Sequence, residues 1–266
     1  MVTADGVKDK IRRLINTANA TTGKTDVDLT TAVNSLVEGF GQGGGSNELL
    51  HAILTGTLKE LSLGPDYPKI KEYAFAAQKV LESVDFSHVT HIYGHAFQDC
   101  TALKSVTIDH STNGRLGPGG DAFNGCKALE SFEYLGEGTF HYVRVLFGCS
   151  ALREVNIPFV TSFQIDTFNG CSSLEQACFP SLRKILSNCF KNCVSLKKLA
   201  LPYTDAIVTL DNMNAFANTP FAANGTGGTV YVPEVLIESY QTAANWSALY
   251  AAGTCNFVAI EGSEFA

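Results

Sequence analysis

The sequence predicts a right-handed α/β solenoid of about seven coils with parallel strand ladders, flanked by an N-terminal helical segment and a C-terminal cap. Three observations predict it. Phe75, Phe97, Phe123, Phe147, Phe168, Phe190 and Phe216 recur at spacings of 22, 26, 24, 21, 22 and 26 residues. The same phrase follows the inner ones: AFQDCTALKSVTI, AFNGCKALESFEY, LFGCSALREVNI, TFNGCSSLEQACF and CFKNCVSLKKLAL. Cys100, Cys126, Cys149, Cys171 and Cys193 keep that beat, as a repeat does and a disulfide framework does not.

Each phrase has a physical reading. A small residue and Phe open a short helical turn. A polar pair then reverses the chain: Gln98-Asp99, Asn124-Gly125, Asn169-Gly170 or Lys191-Asn192. Next comes L-x-x-V-x-I, whose last apolar positions alternate as in a half-buried strand. Pro158, Pro180 and Pro202 stop the strand where a ladder donor is no longer needed. A second apolar pair (Val89/Ile92, Val160/Phe163, Leu182/Ile185) closes the coil. Periods of this length with leucines at fixed offsets are those of leucine-rich-repeat coils, and stacking is what buries each coil's apolar face. The expected ladder is Phe97, Cys100, Leu103, Phe123, Cys126, Leu129, Cys149, Leu152, Phe168, Cys171, Leu174, Phe190, Cys193 and Leu196. Its cysteines act as small hydrophobes and stay free thiols. The first coil, AFAAQKVLESVDF, has Gln78 where the others have Cys.

Coils of the form A-F-x-x-C-x-x-L-x-x-V-x-(I/L)-P resemble the BspA-like leucine-rich repeats of bacterial surface and phage-associated proteins, over about Leu58 to Ile260. The segment VYVPEVLIESYQTAANWSALYAA resembles the closing unit of such arrays. Coil two departs from the pattern through the insertion STNGRLGPGG, coil three lacks the proline, and the coil from Tyr203 to Phe216 is longer.

The expected organisation is an N-terminal attachment or oligomerisation segment at 1–40, a Gly-rich linker at 41–47, repeats at 48–228 and a capping unit at 229–266. Val7, Ile11, Leu14 and Ile15 mark one face of a first helix, and Asp28 is placed to cap a second. TTGKTDVDLTTAVNSLVEGFGQGGG resembles N-terminal segments of phage and prophage tail-associated proteins that carry these repeats. Lys8, Lys10, Arg12 and Arg13 stand where a signal peptide needs its apolar run, so no secretory signal is expected. At the other end, Pro233 is placed to open a helix. Tyr240, Trp246 and Tyr250 are expected to cover the last coil, and CNFVAI to form a final strand.

Composition narrows the function. A net charge of −7 with scattered Lys and Arg argues against nucleic acid, and no apolar run is long enough to insert in a membrane. There is no G-x-S-x-G, phosphate loop or H-E-x-x-H, so neither enzyme nor cofactor is expected. His88, His91 and His95 invite a metal reading. Coil alignment sets His91 opposite Ser162 and His95 opposite Asp166, at turn positions where the three do not share a face, so no metal site is expected. Glu82, Lys104, Glu130, Arg153, Glu175 and Lys197 form a column of alternating sign, expected to pair and fix register. The binding candidates are His88, His110, Phe159 and Tyr203, which with Ser181 line one edge just past the strands. Aromatic and imidazole rings in a row suit a protein partner or a glycan on a cell surface. The expectation is a non-catalytic recognition module on a phage or prophage tail, hence virion-located, with self-association through residues 5–40. The alternatives are an extracellular adhesin of the bacterial surface and a structural spacer.

Overall fold

The computed structural model describes residues 52, 56–63, 68–109, 118–139 and 142–266. The helical segment and linker expected at 1–40 and 41–47 lie outside them, as does His110.

The described chain winds into a parallel-strand solenoid of about seven turns, whose strands stack in two ladders, the second interrupted between Ile92 and Gly138. One ladder holds β1 (Glu60–Ser62), β3 (Ser83–Asp85), β5 (Ser105–Ile108), β6 (Ser131–Tyr134), β8 (Glu154–Asn156), β10 (Gln176–Cys178), β12 (Lys198–Ala200), β14 (Gly228–Val232) and β15 (Cys255–Ala259). The other holds β2 (Lys69–Ile70), β4 (His91–Ile92), β7 (Gly138–Thr139), β9 (Val160–Phe163), β11 (Lys184–Ile185) and β13 (Thr209–Leu210). All pairings among the described residues are parallel, and the first ladder is in register with the repeat: Val106 faces Phe132 and Phe132 faces Val155, as Ala177 faces Leu199 and Leu199 faces Val230. The second shifts register at Gly138/Thr139. The expected second apolar pair of each coil is buried on the second ladder, through Val89, Ile92, Val160, Phe163, Leu182 and Ile185.

The segment that bears the phenylalanine is a tight turn, not an α-helix, and only at Phe216 among the described residues does it form a 3₁₀ helix (Met213–Phe216). Two residues in it adopt left-handed backbone, two before and two after the ladder position: Tyr73 and Ala77, His95 and Asp99, Asp166 and Gly170, Asn188 and Asn192. The N–H groups then alternate. Phe97 and Asp99 donate to Ala122 O and Asn124 O of the next coil at 2.8 and 2.7 Å, while Gln98 donates to His95 O within its own turn at 3.1 Å. An α-helix needs every donor for itself, so these turns trade helical bonds for a third row of inter-coil bonds. The second member of each polar pair is the left-handed residue, as chain reversal requires.

The core is the expected ladder. Phe97, Cys100, Leu103, Phe123, Cys126, Leu129, Cys149, Leu152, Phe168, Cys171, Leu174, Phe190, Cys193 and Leu196 have no exposure at all. One anchor is corrected: Leu146, not Phe147, fills the aromatic position of its coil. The left-handed Gly148 and the ladder Cys149 fix the register, which leaves Phe147 half-buried at the position of Gln98, Asn124, Asn169 and Lys191 in other coils. The rings therefore form two stacks separated by Leu146. Phe75, Phe97 and Phe123 lie 5.5 Å apart, and Phe168, Phe190 and Phe216 lie 5.4 and 5.5 Å apart, all near parallel.

At the C-terminal end, β15 pairs with β14, and α1 (Ile237–Thr242) and α2 (Trp246–Ala251) lie between them in the chain. Pro233 opens a 3₁₀ turn at Glu234–Leu236 ahead of α1. Tyr240 and Trp246 are fully buried, with Trp246 against Phe216, Tyr240 and Phe257. Tyr250, expected beside them, meets Phe257 at 6.0 Å but stays 41 % exposed.

Candidate ligand-binding cleft

The cleft forms where the second ladder is interrupted. β2 pairs only with β4, and β7 begins a new sheet, while coil two supplies no strand between them among the described residues. In its place Gly119 donates its N–H to Ile92 O at 2.8 Å, and Gly120 O accepts from His95 N at 2.8 Å. A Cβ on Gly119 would lie 2.4 Å from the backbone N of Gly94, so only glycine permits this approach. The result is a floor of bare backbone, Gly94, Gly119 and Gly120, beneath a cleft of about 440 Å³.

The walls come from the turns on either side of that floor: Glu72 ahead of Phe75, His91, Tyr93 and His95 ahead of Phe97, and Tyr142 ahead of Leu146. Tyr93 and Tyr142 are 38 % and 41 % exposed. The His95 ring stacks on Tyr73 at 4.5 Å, the His91 ring lies 6.3 Å from Tyr93, and Lys71 Nζ sits 5.0 Å over the Tyr93 ring. The Glu72 carboxylate stands above Gly94, where an added Cβ would meet its Oε1 at 3.7 Å.

Hydrogen bonds fix the state of both imidazoles. His95 Nδ1 lies 2.7 Å from Gln98 Oε1, an acceptor, so the ring nitrogen donates. Thr90 Oγ1 gives its one proton to Pro68 O at 2.9 Å and so accepts from His91 Nδ1, also at 2.9 Å. Each neutral ring is thereby assigned the tautomer that leaves Nε2 as a lone-pair acceptor.

Two of the three histidines considered together in the sequence thus share a face after all, and His91 is on a strand rather than a turn. His88 lies apart from them and is exposed. Among the described residues no group of three or more His, Cys, Asp or Glu is placed to hold a metal ion. Of the other binding candidates, Phe159 stands 48 % exposed and Tyr203 is half-buried beneath the Arg183 guanidinium, 5.1 Å from its ring. Among the described residues, no ring contact or hydrogen bond joins His88, Phe159 and Tyr203. Sequence reasoning missed Tyr93, Tyr142, Glu72 and the glycine floor. The available signal was Gly-Gly directly after the coil-two insertion, since paired glycines mark close backbone approach.

The cysteine ladder offers no reactive thiol. Cys100, Cys126, Cys149, Cys171 and Cys193 each donate S–H to the carbonyl of the ladder residue one coil back (Phe75, Phe97, Phe123, Leu146 and Phe168) at 3.1 to 3.3 Å. Burial pushes Cys100, Cys149 and Cys193 up to about 12, which suppresses the nucleophilic thiolate. The alternating charge column is stacked as expected at the backbone, with Lys104 N on Glu82 O and Lys197 N on Glu175 O. Its side chains depart from expectation, for only Lys104 and Glu82 close to an ion pair, at 2.6 Å. These groups are solvated, and holding two long side chains together gains little there.

Parallel ladders, a leucine at every coil and a buried cysteine–aromatic column define a leucine-rich-repeat solenoid. The chain belongs to the BspA-type leucine-rich-repeat family, whose repeat region matches in six copies over residues 54–132 and 119–222. Among solved structures it is similar to a leucine-rich repeat protein from Eubacterium ventriosum, at 22 % identity and a TM-score of 0.51, over 60 % of this chain and 43 % of that one. It is also similar to one from Bacteroides ovatus, at 21 % identity and a TM-score of 0.49, over 76 % of this chain and 55 % of that one. A leucine-rich cell surface protein from Faecalibacterium prausnitzii matches at 18 % identity and a TM-score of 0.32, over 63 % of this chain and 59 % of that one. The chain therefore spans about half the length of each of these structures. No curated protein matches it. Among the described residues no helix is long and apolar enough to cross a membrane.

Proposed function

We propose that this chain is a non-catalytic recognition module, carried on a phage or prophage tail, that attaches the particle to a cell surface. The observation that carries recognition is the cleft, where two exposed tyrosines and three hydrogen-bonding side chains converge over a backbone floor. Concave sites with aromatic walls and a few placed polar groups are built to bind. In this reading residues 1–40 attach and associate, 41–47 link, 48–228 present the cleft, and 229–266 seal the end of the stack. Phe159 and Tyr203, with His88 and His110, offer a second contact edge to a partner that spans several coils.

The tail setting is supported by the N-terminal phrase TTGKTDVDLTTAVNSLVEGFGQGGG and its resemblance to tail-associated segments. Light-scattering mass of the full chain, and of a version that starts at Asn47, tests it. A dimer or trimer that becomes a monomer on truncation is the expected result, and multivalent attachment follows from it. Two monomers would remove the assembly handle and favour a surface adhesin or a spacer.

A further inference from the structure

We infer that the cleft takes a neutral sugar ring of a cell-surface polysaccharide, stacked on Tyr93 or Tyr142 and hydrogen-bonded through its hydroxyls to Glu72, His91 and His95. This deepens the recognition reading above and rests on it.

The polar groups decide the chemistry. Glu72 offers carboxylate oxygens, and the bonds made by Nδ1 of His91 and His95 leave Nε2 of each ring as an acceptor. A site whose polar side chains are mostly acceptors suits a ligand rich in donors, and a ring of hydroxyls is one. The tyrosines supply the rest. Each presents an apolar ring face with a polar tip, which matches the C–H face and hydroxyl rim of a pyranose.

Other occupants fit less well. A quaternary ammonium would find aromatic faces, but it has no N–H to give the imidazole acceptors. Lys71 already holds its ammonium 5.0 Å over Tyr93, so a second cation there meets like charge. An acidic sugar or phosphate would face the Glu72 carboxylate. A volume of about 440 Å³ lies within the range of small-ligand sites, roughly 300–1,000 Å³. The glycine floor leaves no side chain to obstruct a chain that continues past the bound ring.

The test uses the full chain on an array of bacterial neutral polysaccharides, N-acetylhexosamine polymers and phosphocholine-bearing teichoic acids. Each polymer whose repeat carries a vicinal diol is printed beside a copy in which periodate has cleaved it. Binding to at least one neutral or N-acetylated polymer is expected, lost on the oxidised copy wherever the repeat carries such a diol. Tyr142→Ala and Tyr93→Ala should each weaken it at least tenfold, and Val235→Ala, at an exposed side chain far along the chain from the cleft residues, should leave it unchanged. If Tyr93→Ala disturbs folding by circular dichroism, the exposed Tyr142 decides. Retention only by teichoic acid, or equal retention by Tyr142→Ala, overturns the inference. Retention of intact bacterial cells without any polysaccharide spot also overturns it, while the recognition reading stands. Failure on cells and polysaccharides alike sinks both.

Discussion

Phe168 is fully buried against Phe163, Phe179 and Phe190, whereas Phe147, one coil earlier and equally aromatic, is only half-buried. The difference is register: Leu146 accepts the Cys171 S–H at 3.3 Å, the role that Phe123 plays for Cys149 at 3.2 Å. Truncation should separate the two residues. Phe168→Ala removes a ring from a closed stack and is expected to cost about 3–5 kcal/mol, while Phe147→Ala costs about 1 kcal/mol or less. Urea midpoints of the two variants measure this, and comparable losses would return Phe147 to the ladder. The ladder leucines, cysteines and phenylalanines were legible in the sequence because their side chains recur with the coil. The first left-handed residue of each turn was not. Tyr73, His95, Asp121, Arg144, Asp166 and Asn188 share a backbone conformation but no residue type, since what selects it is the neighbouring coil's carbonyl.

At the scale of elements, buried Val208 ties the cap to the stack, beside the bonds that Asn245 Nδ2 donates to Leu210 O and Asp211 O at 2.8 and 3.1 Å. Val208 donates its N–H to Tyr240 Oη at 2.8 Å, and its carbonyl accepts from Trp246 Nε1 at 2.8 Å. This is how α1 and α2 close an end that would otherwise expose Phe216 and the last strand edge. Tyr240→Phe keeps the ring and strands a buried N–H, so the folded state should lose about 1–3 kcal/mol. Tyr250→Phe, on an exposed ring, serves as the control, and an equal urea midpoint for both would show that the cap is not anchored through Val208. A polar row runs beside the core as well: Asn218 donates to Asn192 Oδ1 at 2.8 Å and Asn192 to Asn169 Oδ1 at 2.9 Å. The sequence marked Asn169 and Asn192 as turn formers, and only stacking joins them with Asn218 in a ladder.

Over the whole molecule, the buried thiols give stability a pH dependence. Burial pushes Cys100, Cys149, Cys193 and Cys255 up to about 12, and raises Cys126, Cys171 and Cys189 well above the ordinary thiol range. Above about pH 9 the unfolded chain loses thiol protons that the native chain keeps. Stability therefore falls as pH rises, by up to about 1.4 kcal/mol per pH unit for each such thiol. Tyr240, also pushed up to about 12 by burial, adds to the fall above about pH 10. Urea midpoints should be level between pH 6 and 8 and drop steeply beyond 9, with a shallower drop in Cys149→Ala. A midpoint that stays constant to pH 10.5 would contradict a buried ladder.

By itself the sequence determined that this chain is a stack of leucine-rich coils, where each coil's apolar positions lie and where the closing cap begins. Periodicity carries that information because every coil must bury the same face against the next. The tertiary structure alone decided the candidate cleft. Glu72, His91, Tyr93, His95 and Tyr142 meet where the second ladder breaks, on a floor that Gly119 opens by allowing two backbones to touch. A site made by departure from the repeat leaves no periodic trace, because its residues are neighbours across coils and not along the chain.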